Sequence, residues 1–91
     1  MYAIASSEHF LRRSGKFFRK HPELIERFRQ VMEALRHDPF QSGLRLHPLR
    51  GQLEGAHAAS ISYAYRVVVT IKLTEHEIIL LDIGTHDEVY R

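Results

Sequence analysis

The sequence predicts an α+β fold in which a short N-terminal strand and a helical hairpin pack on a small, mostly antiparallel sheet, in the order β-α-α-β-β-β. Three observations carry this expectation. Apolar residues recur at helical spacing twice, on either side of His21-Pro22. The last third holds two β-prone runs, Val67-Val68-Val69-Thr70-Ile71 and Ile78-Ile79-Leu80-Leu81-Asp82-Ile83. No strand-helix-strand unit repeats, so there are no crossover helices to build a parallel sheet.

Each element follows in order. Tyr2-Ala3-Ile4-Ala5 alternates as a short strand does, and Ser6-Ser7-Glu8 then supplies hydroxyl caps and a first-turn acid. From Glu8 to Lys20, Phe10, Leu11, Ser14, Phe17 and Phe18 make one apolar stripe. Proline disfavours helical geometry in the residue before it but suits the first turn of a new helix, so His21-Pro22-Glu23 reads as a stop and a restart. The second helix buries Leu24, Ile25, Phe28, Val31, Met32 and Leu35 and ends at His37-Asp38-Pro39. Gly43, Pro48, Gly51 and Gly55 then break the chain too often for a long element, leaving a shaped loop with one extended rib near Leu44, Leu46 and Leu49. From Ala58 onward Ile61, Tyr63 and Tyr65 alternate imperfectly with Ser60, Ser62 and Arg66 as a strand, and Val67 to Ile71 is the expected central strand. Ile78 to Ile83 is the last, ended by Gly84, with His86 presented from a turn.

At 91 residues the chain is expected to form a single domain, 1–91, with room for one core. A domain of this size buries roughly 60 % of the surface its unfolded chain exposes, and with no cysteine it has no disulfide to help. The lack of cysteine also removes thiolate chemistry and points to a reducing compartment. Met1 to Ala5 has neither the basic nor the apolar region of a signal peptide, and no apolar run approaches the ~18 residues of a membrane span. The sequence therefore predicts a cytoplasmic protein without a membrane partner. Net charge is only +2, yet Arg12, Arg13, Lys16, Arg19, Lys20, Arg27 and Arg29 gather in the first third, and five acids lie near the end. The positive potential belongs to the helical half, as a surface for an anionic partner or simply as solvated helix faces.

There is no Gly-rich phosphate loop, no HExxH, no GxSxG and no carboxylate cluster for magnesium. No two histidines stand at i, i+4 on one helix, so no zinc site, and no other cofactor, is expected. What remains is Leu46-His47-Pro48-Leu49-Arg50-Gly51, Tyr63-Ala64-Tyr65-Arg66, and the segment from Gly84 through His86 to Tyr90. Such residues suit metal-free RNA cleavage. Histidine, with an ordinary pKa of about 6.5, takes or gives a proton near neutral pH. Arginine steadies the crowded phosphate, and tyrosine stacks on a base. His47, Arg66, His86 and Tyr90 are the candidate catalytic residues, with Tyr65, Arg50, Lys16 and Arg19 as candidate substrate contacts. In a hairpin sheet Arg66 and His86 can meet at one edge. His9, His21, His37, His57 and His76 read as surface or loop residues.

Leu46-His47-Pro48-Leu49-Arg50-Gly51 resembles the HPLxG loop of the YafQ-like branch of the RelE/ParE toxin superfamily. Gly84-Thr85-His86-Asp87-Glu88-Val89-Tyr90 resembles that branch's GTH ending, with an aromatic four residues after the histidine. The resemblance spans nearly the whole chain. It implies a RelE-like fold, a ribosome-dependent mRNA endoribonuclease, and a cognate antitoxin that binds the toxin in a hetero-oligomer. It also implies acid–base roles for His47 and His86 and a positioning role for Tyr90, while Arg66 resembles the phosphate-facing arginine of RelE proper. Ser60, Ala64-Tyr65 and Asp82 depart from the branch pattern, which has a histidine, an Asp-Trp pair and an arginine there, so those roles are not carried over. Two alternatives remain open: a ParE-like inhibitor of DNA gyrase, and a catalytically impaired relative that serves as an antitoxin-binding component.

Overall fold

The computed structural model describes residues 1–90. Strand β1 (Ala3–Ser6) passes through Ser7, whose hydroxyl accepts the Phe10 N–H at 3.1 Å, into helix α1 (Glu8–Lys20). The helix stops at His21, a 3₁₀ turn covers Pro22–Leu24, and α2 runs Ile25–His37. The two helices are joined through phenylalanines: Phe28 stacks on Phe10 at 6.1 Å and meets Phe18 edge-on at 5.0 Å.

The buried faces differ from the expected stripes at two residues. Leu11 is 60 % exposed and Ile25 41 %. Helix α1 lies on the sheet along Phe10, Arg13 and Phe17, a line that turns Leu11 outward by about 100° from Phe10. In α2 the buried line is Val31 and Leu35 with Phe28 partly covered, and Ile25 stands off it at the helix start.

After α2, a 3₁₀ turn (Ser42–Leu44) leads to the two-residue strand β2 (His47–Pro48), which is the extended rib. A second 3₁₀ turn (Gly51–Leu53) precedes β3 (His57–Ser60), β4 (Tyr65–Lys72) and β5 (Glu77–Thr85), and the alternating run expected from Ala58 is broken at 61–64 by a turn that the Ile61 N–H closes on the Tyr65 carbonyl. The sheet order is β1-β5-β4-β3-β2, with β4 central as expected. Only β1 runs parallel to its neighbour, pairing Ala3 to Ser6 with Glu77 to Leu80.

A bulge opposite Val68 and Val69 leaves Leu81 as the extra residue of β5, since Val68 pairs with Asp82 and Val69 with Leu80. Beyond Leu80 the short β1 no longer covers β5, and Arg13 of α1 takes its place. Its Nη2 donates to the Ile83 carbonyl and its Nε to the Asp82 carboxylate, each at 3.1 Å. Asp82 in turn accepts the Ile83 N–H at 2.8 Å. The acid at 82 is thus engaged with α1.

The sheet is buried on both faces, where the sequence led us to expect one core. Under the helices, Phe10, Phe17, Val31, Leu35, Ile61, Val67, Val69, Ile78 and Ile83 form the larger cluster. On the opposite face Leu49, Ala56, Ala58, Val68 and Val89 form a smaller one, with Leu53, Leu81 and Tyr90 at its rim. The long loop and the chain end supply this second cluster, because both fold back across the sheet. Gly84 does not end the last strand either. Strand β5 continues to Thr85, and His86 opens a one-turn helix α3 (His86–Val89) in place of the expected turn.

Candidate active site

The smaller cluster anchors two segments that carry imidazoles. From the loop side, β2 pairs His47 with Ala58, and Leu49 is buried beside it, so His47 has a fixed backbone. Arg45 precedes it in the left-handed region, at φ 50°, a conformation costing a non-glycine residue roughly 1 kcal/mol. That twist turns the Arg45 carbonyl back to accept the Nδ1–H of His47 at 3.1 Å. With Nδ1 protonated, the neutral ring carries its lone pair on Nε2, and there it accepts the Tyr90 hydroxyl.

From the sheet side, α3 is held by a reciprocal cap. The Thr85 hydroxyl accepts the Glu88 N–H at 3.2 Å, and the Glu88 carboxylate accepts the Thr85 N–H at 2.8 Å. The Thr85 N–H holds the Glu88 carboxyl below its usual value, and the Thr85 hydroxyl and the Arg13 and Lys20 charges act in the same direction. Val89 is buried in the smaller cluster, which fixes His86 and Tyr90 on either side of it. The His86 ring stands perpendicular to Tyr90 with centroids 4.0 Å apart, and His47 approaches the same ring edge-on at 5.9 Å. Burial pushes the Tyr90 phenol up in pKa, partly opposed by the Arg66 charge, so near neutral pH it is a hydroxyl donor.

His47, His86, Tyr90 and Arg50 line one open cleft of about 400 Å³. Arg66 lies across the sheet from Gly84, two residues before His86, but its guanidinium turns toward the β3–β4 turn. Its Nη1 donates to the carbonyls of Ser62, Tyr63 and Tyr65 at 2.9–3.1 Å, and the side chain lines the adjoining cleft. Tyr65 is on the opposite face, under the helices. Its hydroxyl meets His21 Nε2 at 3.2 Å, and it lines a separate cleft with Lys16, Arg13 and Lys20. Arg19 is exposed on α1 and lines none of these clefts.

The structure therefore brings together three of the four candidate catalytic residues with Arg50, puts Arg66 next door, and separates Tyr65, Lys16 and Arg19 from them. Among the histidines read as surface or loop residues, His21 is half-buried against Phe17 and Tyr65, and His57 is half-buried within β3. No three His, Cys, Asp or Glu side chains converge as metal ligands among the described residues. Two contributors were missed from the sequence. The Thr85-x-x-Glu88 spacing is a legible capping box, but the Arg45 carbonyl has no sequence signal.

No family model matches the sequence, and no curated protein matches it. Solved structures match it over nearly its whole length. YafQ from E. coli superposes with a TM-score of 0.79 at 18% identity, covering 100% of both chains. A metal-bound toxin from Helicobacter pylori superposes with a TM-score of 0.80 at 24% identity, covering 98% of this chain and 99% of that one. The E. coli DinJ-YafQ complex gives 0.76 at 19% identity, covering 100% of both chains. With its parallel first strand, helical hairpin and antiparallel β3–β5 sheet, the chain has the fold of the YafQ-like toxins of the RelE/ParE superfamily.

Proposed function

We propose that this domain, residues 1–91, is the toxin of a type II toxin–antitoxin pair and cuts mRNA on the ribosome without a metal. The observation that carries the reading is the convergence of two imidazoles on one tyrosine in a single open cleft, one of them with its tautomer fixed by a backbone carbonyl.

The chemistry divides between the two rings. His47 Nε2 accepts the proton of the RNA 2'-hydroxyl as that oxygen attacks the neighbouring phosphorus. His86, in its cationic form beside the Asp87 carboxylate at 3.5 Å, gives a proton to the departing 5'-oxygen as its bond to phosphorus breaks. The products are a 2',3'-cyclic phosphate and a free 5'-hydroxyl. Tyr90 holds His47 Nε2 until RNA displaces its hydroxyl. Arg50 in the cleft supplies a guanidinium for the phosphate, and Arg66 adds a second from the adjoining cleft. Tyr65, Lys16 and Arg19 lie outside the cleft and serve RNA at a distance from the cut. A cognate antitoxin silences the toxin in a hetero-oligomer, as DinJ accompanies YafQ in the E. coli complex, and the site of action is the cytoplasm.

Expression of the chain alone is expected to arrest growth and to leave cuts in translated messages. His47→Ala and His86→Ala should each lower cleavage by about 10²- to 10⁴-fold. Full toxicity in both variants removes the assignment. A DNA-damage response with intact messages would favour gyrase inhibition, and harmless expression would favour an impaired relative.

A further inference from the structure

Beside the histidine cleft lies another, of about 300 Å³, beneath the β3–β4 turn at residues 61–64. Arg27, Arg45 and Arg66 all line it, and none of its lining residues is acidic. Among the described residues none of these three arginines forms an ion pair. Tyr63, at the turn, is 99 % exposed.

The turn that carries this tyrosine is held firmly. Ile61 is fully buried and its N–H donates to the Tyr65 carbonyl at 3.0 Å. Arg27 Nε donates to the Ile61 carbonyl at 2.8 Å, and Arg66 Nη1 donates to the carbonyls of Ser62 and Tyr63. The ring is thus displayed from a fixed base, with little ordering left for a ligand to impose. Arg27 and Arg66 each anchor the turn through one nitrogen, and the other guanidinium donors remain for a second partner.

The two clefts adjoin through two residues. Arg45 lines this one while its carbonyl holds the His47 ring, and Arg66 lines this one while its charge acts on Tyr90.

We infer that this cleft is a subsite for the nucleotide flanking the cut, with Tyr63 as the platform on which its base stacks and Arg45 and Arg27 as the cations on its backbone phosphate. The inference rests on the nuclease reading and names where the substrate extends. Three guanidiniums, two of them anchored on the turn, no carboxylate and one freely displayed aromatic ring suit single-stranded RNA better than an apolar protein surface.

The test uses a short 2'-O-methyl oligoribonucleotide, which lacks the attacking hydroxyl, with 2-aminopurine placed at each position in turn. Binding is read by anisotropy and stacking by quenching of the 2-aminopurine. One position should be quenched by the parent chain. Tyr63→Ala should abolish that quenching and weaken binding roughly 5- to 100-fold, while Tyr63→Phe should keep both. Arg45→Gly removes the side chain but tolerates the left-handed backbone, and should weaken binding and lower the salt slope by about one ion.

No binding by the parent, or equal binding and quenching by Tyr63→Ala, overturns the subsite. So does loss of antitoxin binding in Tyr63→Ala with oligonucleotide binding intact, which would make the turn a protein-docking surface. Cleavage of unmodified message is measured in parallel. If His47→Ala and His86→Ala still cut while Tyr63→Ala loses the oligonucleotide, the acid–base assignment fails and the subsite stands.

Discussion

His47 illustrates how far a single residue can be read. Its neighbours Pro48 and Arg50 and the motif around it identify a candidate proton carrier, but which nitrogen is basic depends on the Arg45 carbonyl and the Tyr90 hydroxyl. Neither contact follows from spacing, because one comes from an unusual backbone twist and the other from 43 residues away. Glu88 shows the reverse. Its role as the partner of Thr85 was available from the sequence, and it produces a testable pH dependence. Its folded pKa lies below the ordinary 4.5, so its contribution is present above the unfolded value and is lost as pH falls through the folded one. Glu88→Gln should therefore lower the urea midpoint near about pH 7, and the two proteins should converge as the pH falls through the lowered pKa of Glu88 in the folded chain. A constant gap across that range would place the effect elsewhere.

At the scale of elements, α3 is the piece that turns a sheet end into a site, and Gly84 is what lets it dock. A Cβ at position 84 would meet Glu88 Oε1 at 2.8 Å and Arg13 Nη2 at 3.0 Å. Both groups are already committed, Glu88 to the Thr85 N–H and Arg13 to the Ile83 carbonyl. Gly84→Ala is expected to cost about 1–3 kcal/mol, read by urea denaturation, and to reduce RNA cleavage because His86 and Tyr90 move with α3. Unchanged stability and cleavage would show that α3 does not depend on this close approach. The helices were legible as elements, through the Ser7 cap, the Pro22 restart and the Asp38-Pro39 end. Their exact faces were not. Leu11 and Ile25 satisfy the helical rhythm as well as their neighbours do, and only the line along which α1 meets β5 decides that Arg13 faces the sheet and Leu11 faces water.

Across the whole molecule, the sheet separates two kinds of surface. Its helical side carries Lys16, Arg19 and Lys20, and its other side carries the histidine cleft. If the helical face touches RNA away from the cut, Lys16→Glu with Arg19→Glu should weaken association with ribosomes and reduce its salt dependence. Stability should change by less than about 0.5 kcal/mol, because both side chains are exposed. Ribosome co-sedimentation across a salt series checks this, and an unaltered profile would confine recognition to the cleft side. By itself the sequence determined the first strand, the helix pair, the central strand and the two segments bearing His47 and His86, because periodicity, capping and turn chemistry are local properties of neighbouring residues. Only the tertiary structure decided that a second small core lies behind the sheet, that Asp82 is held by Arg13, that Tyr65 faces away from the histidines, and that Arg66 leans into an adjoining cleft. Each of these turns on which face of the sheet a side chain occupies and what folds back over it, and a bulge of one residue at Leu81 is enough to change that phase.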